Sequence, residues 1–411
     1  MSPPPPWPAM VAAFGHIGVA SFGGPAAQIA VMRRELVERR GWIDDATFLR
    51  GLGFCTLLPG PEAMQLATFA GWRMRGWRGG VLAGLLFVLP GAAVMIALSA
   101  LYVAFGRVEA VEAAFLGVKA AVLAIVATAL WKLRVHALSG PLAGAVAVGA
   151  FTALLLDVPF PVVIGAALAV GLLRPAAAGE VPAASGPAYP IRATLRTVAV
   201  WLAVWWAPLL PVLLFAPGTP PAEAAALFSW LAAVSFGGAY ALLAALAQYA
   251  VEGHGWLTPE AMIDGLGLAE TTPGPLVLVT VFAGWLGGAA AGGWPVALAT
   301  AGVTLWATFA PCFLWIFAGA PYVERLADAP RIGAALGIVT AAVAGVIASL
   351  AVRFGAAVLL GGDGPGGLDA GAAILAGAAA ALLWSGRARL LPTLGTCAAG
   401  GLALHLLAPG G

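Results

Sequence analysis

Ser21-Phe22-Gly23-Gly24-Pro25 opens a stretch that runs through a charged loop with Gly41-Trp42 to Leu52-Gly53 and closes on Leu58-Pro59-Gly60-Pro61. From Ser235 the chain repeats it, as Ser235-Phe236-Gly237-Gly238, then Gly255-Trp256, Leu266-Gly267 and Thr272-Pro273-Gly274-Pro275. Every matched position is displaced by 214 residues, with no gap between the serine and the last proline. Chance similarity in an Ala- and Gly-rich chain does not hold register in this way. The chain is an internal duplication.

Composition places the duplicated unit in a membrane. Of 411 residues 62% are hydrophobic and 9% charged, where a soluble domain carries roughly a quarter charged residues. Thirteen apolar segments follow one another from 9–32 to 389–408, many of them long enough for a helix to cross about 30 Å of hydrocarbon. The fold class expected is an all-α polytopic membrane protein. The proline-rich start, Met1 to Met10, lacks the basic residues of a cleavable signal and reads as a retained tail. Residues 175–191, rich in Pro, Ala and Gly, read as a linker between a first repeat, 1–174, and a second, 192–411. Cys55, Cys312 and Cys397 are far apart in apolar sequence, and His16, His136, His254 and His405 are scattered, so neither a disulfide framework nor a metal site is expected. No Walker loop, Ser/His/Asp set or HExxH is present, and neither a cofactor nor an enzymatic activity is expected.

Charge distribution sets the topology. Arg33, Arg34, Arg39 and Arg40 follow the first apolar segment, and Arg73, Arg75 and Arg78 follow the second. Basic loops favour the cytoplasm, so a complete crossing between these two clusters is disfavoured. A re-entrant hairpin turning at Pro59-Gly60-Pro61 puts both clusters on one side, and the same argument bends the first segment at Gly23-Gly24-Pro25. Between residues 197 and 324 there is no Lys or Arg, and the loops of the second copy carry Glu252, Glu260, Asp264 and Glu270 instead. The second copy is therefore expected to face the opposite side. Inverted repeats with broken or re-entrant helices are the signature of secondary transporters. Arg353 fits this topology badly.

The repeated residues suggest what such a protein handles. Proline suits the first position of a helix and glycine the unusual backbone angles before it. Each motif reads as the start of a half-helix at membrane depth, where unpaired N–H groups and the helix dipole attract an anion. The expected binding set is Ser21, Phe22, Gly23, Gly24, Pro59, Gly60 and Pro61, with Ser235, Phe236, Gly237, Gly238, Thr272, Pro273, Gly274 and Pro275 from the second copy. For a single G-G-P or P-G-P a packing kink is the commoner role; duplication at fixed spacing favours function for the set. Glu62 and Glu270 occupy non-equivalent positions beside the two P-G-P breaks. A carboxylate there either complements a helix start or couples a proton. Gln28 and Gln65 read as neutral donors or interhelical contacts, Glu109, Glu112 and Lys119 as an ion pair at the end of a span. Trp42, Trp72, Trp77, Trp256, Trp285 and Trp294 read as interfacial anchors.

The double S-F-G-G block, the Gly-Trp after each loop, and the P-G-P pair followed by Gly71-Trp72 and Gly284-Trp285 resemble the chromate ion transporter family, in its long, two-domain form. The resemblance covers nearly the whole chain. It implies two antiparallel homologous halves, multi-pass insertion in a bacterial inner membrane, and export of chromate driven by the membrane potential or the proton gradient. Ala239 departs from the pattern, standing where the first copy has Pro25. The partners implied are a chromate- or sulfate-like oxyanion and the bilayer; a homodimer is admitted and nucleic acid is not expected. A transporter of sulfate or another oxyanion, or an anion channel of the same architecture, is the alternative.

Overall fold

The computed structural model describes residues 4–106, 108–138, 140–173, 190–236, 239–323, 330–360, 367–385 and 390–407. Most of the expected linker, 175–189, lies outside them, as do Gly237 and Gly238. The first half begins with α1 (Trp7–Ala20) and α2 (Gly24–Arg33), the latter continued by a π-helical turn, Arg34–Arg39. Helices α3 (Asp45–Thr56) and α4 (Glu62–Phe105) flank the first P-G-P. Then come α5 (Glu109–Ala137) and the shorter α6 (Pro141–Leu155) and α7 (Phe160–Leu172). Helices α8 (Ile191–Trp206) and α9 (Leu209–Phe215), bent by 46° at their junction, connect the halves.

The second half repeats the order. Helices α10 (Pro220–Val234) and α11 (Ala239–Leu246) are followed by a π-helical turn, Ala247–Gly253, and by α12 (Pro259–Thr271). A 3-10 turn, Leu276–Leu278, leads into α13 (Val279–Gly319), followed by α14 (Pro330–Leu359), α15 (Ala370–Trp384) and α16 (Leu390–Leu407).

Helix α4 has 44 residues; straight, it would run about 66 Å, roughly twice the hydrocarbon thickness. It is not straight. Arg75 and Gly76 leave helical geometry, Gly76 with φ 62° and ψ −157°, a conformation open to glycine and costly to other residues. The arms 62–74 and 77–105 then fold back on each other, and a Cβ placed on Gly71 would strike the carbonyl of Gly79, while one on Gly79 would strike that of Gly71. Helix α13 does the same at Gly292 and Gly293, with φ 69° and ψ −160° at Gly293. Missing side chains let the backbones of these arms touch, the usual way helices associate in lipid.

Only the second arm of α4 or α13 is long enough to span. The first arm packs against the preceding helix as a hairpin closed by the P-G-P: Gly51 of α3 lies against the ring of Phe69, and Gly265 of α12 against Phe282. A hairpin returns the chain to the side it left. The arm 77–105 and α5 are each long and apolar enough to cross, α6 and α7 are shorter apolar helices in mutual contact, and α8 with α9 are long and apolar enough only when taken together across their bend. With the bent pair counted as one span, the number of crossings before α10 is odd, and the second copy is inverted as the charge distribution in the sequence requires.

Charge separates along this axis. Arg33 pairs with Asp45 at the start of α3 (2.7 Å) and so ties the loop after α2 to the end of the hairpin where the Arg75-Gly76 turn lies. Arg75 donates to the carbonyl of Pro5 (2.6 Å) and sits over the ring of Trp7, bringing the start of α1 to the same end. At the opposite end Lys119 pairs with Asp264 (3.8 Å), which also accepts from the Tyr102 hydroxyl (2.9 Å). Lys119 was expected to pair with Glu109 or Glu112; the inverted copy brings a more buried acid to it. Arg353, the misfit of the topology, is held by Glu252 and by Asp157 in the α6–α7 turn. Two carboxylates neutralise it on the side where a lone cation is disfavoured. Trp285 is 4% exposed and packs edge-on against Trp294, so the anchoring role expected for it is corrected to a core contact.

Candidate functional site

Each S-F-G-G stands between two helices, α1 and α2 in the first copy and α10 and α11 in the second. In the first copy, Ser21 terminates α1 and the chain turns through Gly23 (φ 86°) into Gly24 (φ 78°), which with Pro25 opens α2. Left-handed angles at consecutive residues need glycine, since a Cβ there meets the neighbouring carbonyl. No side chain caps the start of α2. The N–H groups of its first turn are left for whatever lies in front of them.

In front of them lies a cavity of about 540 Å³. Gly23, Gly24, Pro25 and Ala26 border it from the first copy, and Ala239, the first residue of α11, from the second. Thr56 at the end of α3 and Glu62 at the start of α4 border it as well. Glu270 comes from α12, and Thr128 and Lys132 from α5. Glu270 is the counterpart of Thr56 at the repeat spacing, and Leu276 that of Glu62. Each copy thus supplies one carboxylate, from opposite sides of its P-G-P. Chain order along α5 puts Lys132 toward the basic end of the molecule.

The P-G-P breaks do not line this cavity. The N–H of Gly60 donates to the carbonyl of Ser235 (3.1 Å), and the N–H of Gly274 donates to the carbonyl of Ser21 (2.8 Å). These reciprocal bonds join each P-G-P to the S-F-G-G of the other copy. The Gln28 amide adds a bond to the Gly274 carbonyl (2.7 Å) and the Gln65 amide one to that of Pro59 (2.6 Å). Leu242 and Val279 stand at the equivalent positions, so both supports exist once only. Behind the joint, Gly91 lets the second arm of α4 touch the carbonyl of Pro273, and Cys312 lies beside Gly60.

Of the residues read from sequence, then, Gly23, Gly24, Glu62 and Glu270 meet at the cavity. Ser21 and Ser235 are fully buried; their carbonyls serve the joint, and their hydroxyls have no partner among the described residues. Pro59, Gly60 and Pro61, with Pro273, Gly274 and Pro275, form the joint or its flanks. Phe22 and Phe236 lie between helices without bordering the cavity, and the Thr272 hydroxyl bonds back to Leu268. Gly237 and Gly238 are outside the described residues. Sequence reasoning missed Lys132 and Thr128, because nothing in the spacing links α5 to breaks that precede it by some seventy residues or follow it by more than a hundred. Among the arginines after α2, Arg33, Arg39 and Arg40 are already paired with acids.

Two like halves, all helical among the described residues, thus interlock beside a mostly apolar cavity into which two carboxylates and one lysine are set, an architecture shared with transport proteins. The model of the chromate transporter family matches the chain twice, over residues 8–172 and 222–404, once on each copy. The chain belongs to the chromate transporter family. It is 35% identical to a chromate transport protein of Pseudomonas aeruginosa, over 85% of this chain and 81% of the relative. It is 32% identical to one of Cupriavidus metallidurans, over 82% and 80%, and 31% identical to a probable chromate transport protein of Synechococcus elongatus, over 83% of each. No solved structure matches it.

Proposed function

We propose that this protein is a secondary active transporter that exports chromate, a tetrahedral dianion, across a bacterial inner membrane, holding it before the paired S-F-G-G breaks. The observation that carries the reading is the uncapped start of α2, opened by two left-handed glycines onto a cavity that the start of α11 also borders. Helix N-termini bind anions through N–H groups and the helix dipole without a fixed cation. The joint of reciprocal backbone bonds serves to hold the two S-F-G-G breaks opposite each other. Two inverted halves offer, by their symmetry, an inward-facing and an outward-facing arrangement of one site. The names of the relatives support chromate as the cargo. The driving force is consistent with export, because an inside-negative potential works outward on an anion, about 2.3 kcal/mol per charge at 100 mV.

The test is chromate flux in proteoliposomes under an imposed gradient, with sulfate as competitor. Ala26 is exposed on the cavity wall in the first turn of α2. An aspartate there suits the helix dipole but repels an anion, so Ala26→Asp is expected to fold and to lose at least tenfold in chromate flux. Saturable, gradient-driven flux with counterflow supports the reading. Flux that fails to saturate makes the protein a channel, and movement of sulfate without chromate keeps the site and changes its cargo.

A further inference from the structure

We propose that protons and the oxyanion occupy this cavity together: Glu62 and Glu270 must be protonated for a dianion to be held, and Lys132 is the side chain that holds it alongside the helix start. The inference rests on the anion-site reading above and gives it a coupling rule. Its first observation is Glu270, which is 4% exposed, borders the cavity and has no hydrogen-bond or ion-pair partner among the described residues. A buried, unpartnered carboxylate is unstable as an anion and still worse beside a second one. The second observation is Glu62 on the same cavity, brought there from the other copy by the interlocked breaks.

The charged groups on this wall can be followed element by element. Lys132 on α5 is the cation bordering the cavity among the described residues, and no acid pairs with it. Helix α14 presents Thr340 and Ile347, α15 Leu383 and α16 Leu390, none of which titrates. Helix α3 presents Thr56, with the buried thiol of Cys55 behind it, within electrostatic reach of Glu62 and of Cys312 on α13. With both carboxylates ionised, the side chains of this wall sum to one negative charge. With both protonated they sum to one positive charge. A dianion in a cavity of this size interacts with all three groups, so its affinity and the proton count rise together, and by linkage each raises the other. Binding that is synergistic in this sense moves protons with the anion, not against it. One accompanying proton leaves the cargo one negative charge for the membrane potential to drive and two leave none, so export by the potential requires that one carboxylate already be protonated in the empty site and that binding take up a single proton.

The experiment is equilibrium binding of labelled chromate to the purified full chain, from neutral to mildly alkaline pH, with the affinity expressed per chromate dianion because part of the chromate is hydrogen chromate near neutrality. The dissociation constant of the wild type is expected to rise with pH, up to tenfold per pH unit for each proton taken up, over the range in which the carboxylates titrate. Glu62→Gln with Glu270→Gln imitates the protonated pair and is expected to bind tightly with no pH dependence. Since neither Glu62 nor Glu270 has a hydrogen-bond or ion-pair partner to lose among the described residues, these variants are expected to elute from size exclusion as the wild type does. Lys132→Gln is expected to weaken binding at every pH while keeping the slope, with Lys132→Arg restoring it. Chromate binding whose pH slope is absent in the wild type, or survives in the double glutamine variant, overturns the proposal and leaves the anion site standing. Absence of chromate binding at every pH overturns the anion site, and this inference with it.

Discussion

Asp44 and Thr258 stand at the same register of the two copies and do the same work with different chemistry. Asp44 accepts from the Thr47 N–H (2.8 Å) at the start of α3, and the Thr258 hydroxyl accepts from the Ala261 N–H (3.1 Å) at the start of α12. Each satisfies one of the donors that a helix start leaves open, and its removal is expected to cost about 1 kcal/mol. The two differ in charge. The N–H and hydroxyl of Thr47 both donate to Asp44 and hold its carboxyl below the usual carboxylate range. A carboxyl depressed on folding stabilises the fold fully above its unfolded value, and the contribution fades as pH falls through the folded one. Thermal unfolding in detergent over a pH series should therefore show Asp44→Ala destabilised near neutrality and approaching the wild type in acid. Thr258→Ala should show a loss that does not change with pH. Equal pH dependence in both would place the Asp44 effect elsewhere than in its cap.

Helix α4 and helix α13 owe their shape to glycines that do different things. Gly76 and Gly293 turn the chain, whereas Gly71 and Gly79 let the two arms of α4 touch. Gly71→Ala would push its methyl into the Gly79 carbonyl and the Ala83 side chain, both fixed by the same hairpin. A loss of about 1 to 3 kcal/mol is expected from such overpacking. Gly15 in α1 has nothing within 4 Å of where its Cβ would stand, so Gly15→Ala is expected to be neutral or to gain up to about 1 kcal/mol of helix propensity. Thermal unfolding of the pair in one detergent separates contact from propensity; equal behaviour would mean the arms are not packed through Gly71. This level was partly legible in the sequence. The offset of 214 residues named the breaks at Ser21, Pro59, Ser235 and Pro273 and their pairing into copies. The Arg75-Gly76 turn was seen only as a charged loop. That Gly60 and Gly274 spend their N–H groups on Ser235 and Ser21 was hidden, because a local motif states what a backbone group offers, and its partner lies more than 170 residues away. Lys132 escaped for the same reason, as a cation whose local surroundings speak only of topology.

At the scale of the whole molecule the decisive feature is that each P-G-P meets the S-F-G-G of the other copy while the outer ends of the hairpins lie apart. Reciprocal bonds between Gly60 and Ser235 and between Gly274 and Ser21 bring the breaks together, as an approximate two-fold axis through the joint requires. An axis lying in the membrane plane, as inverted repeats have it, sends the ends of the hairpins to opposite sides. The loop after α2 and the Arg75-Gly76 turn share the basic end, and the equivalent loop with His254, whose ring lies 3.4 Å from Glu223, belongs to the other. Cysteine labelling reads this directly. Cys55, Cys312 and Cys397 are buried and free, so an impermeant maleimide applied to intact cells or inside-out vesicles should report introduced thiols with little background. Arg39→Cys and Arg78→Cys are expected to label together in inside-out vesicles and stay silent in intact cells, in accord with the preference of basic loops for the cytoplasm. His254→Cys is expected to label in intact cells. Labelling of Arg39→Cys and Arg78→Cys from opposite sides would mean that α3 and the first arm of α4 cross the bilayer, and the inverted arrangement, which depends on those hairpins returning, would fall with them.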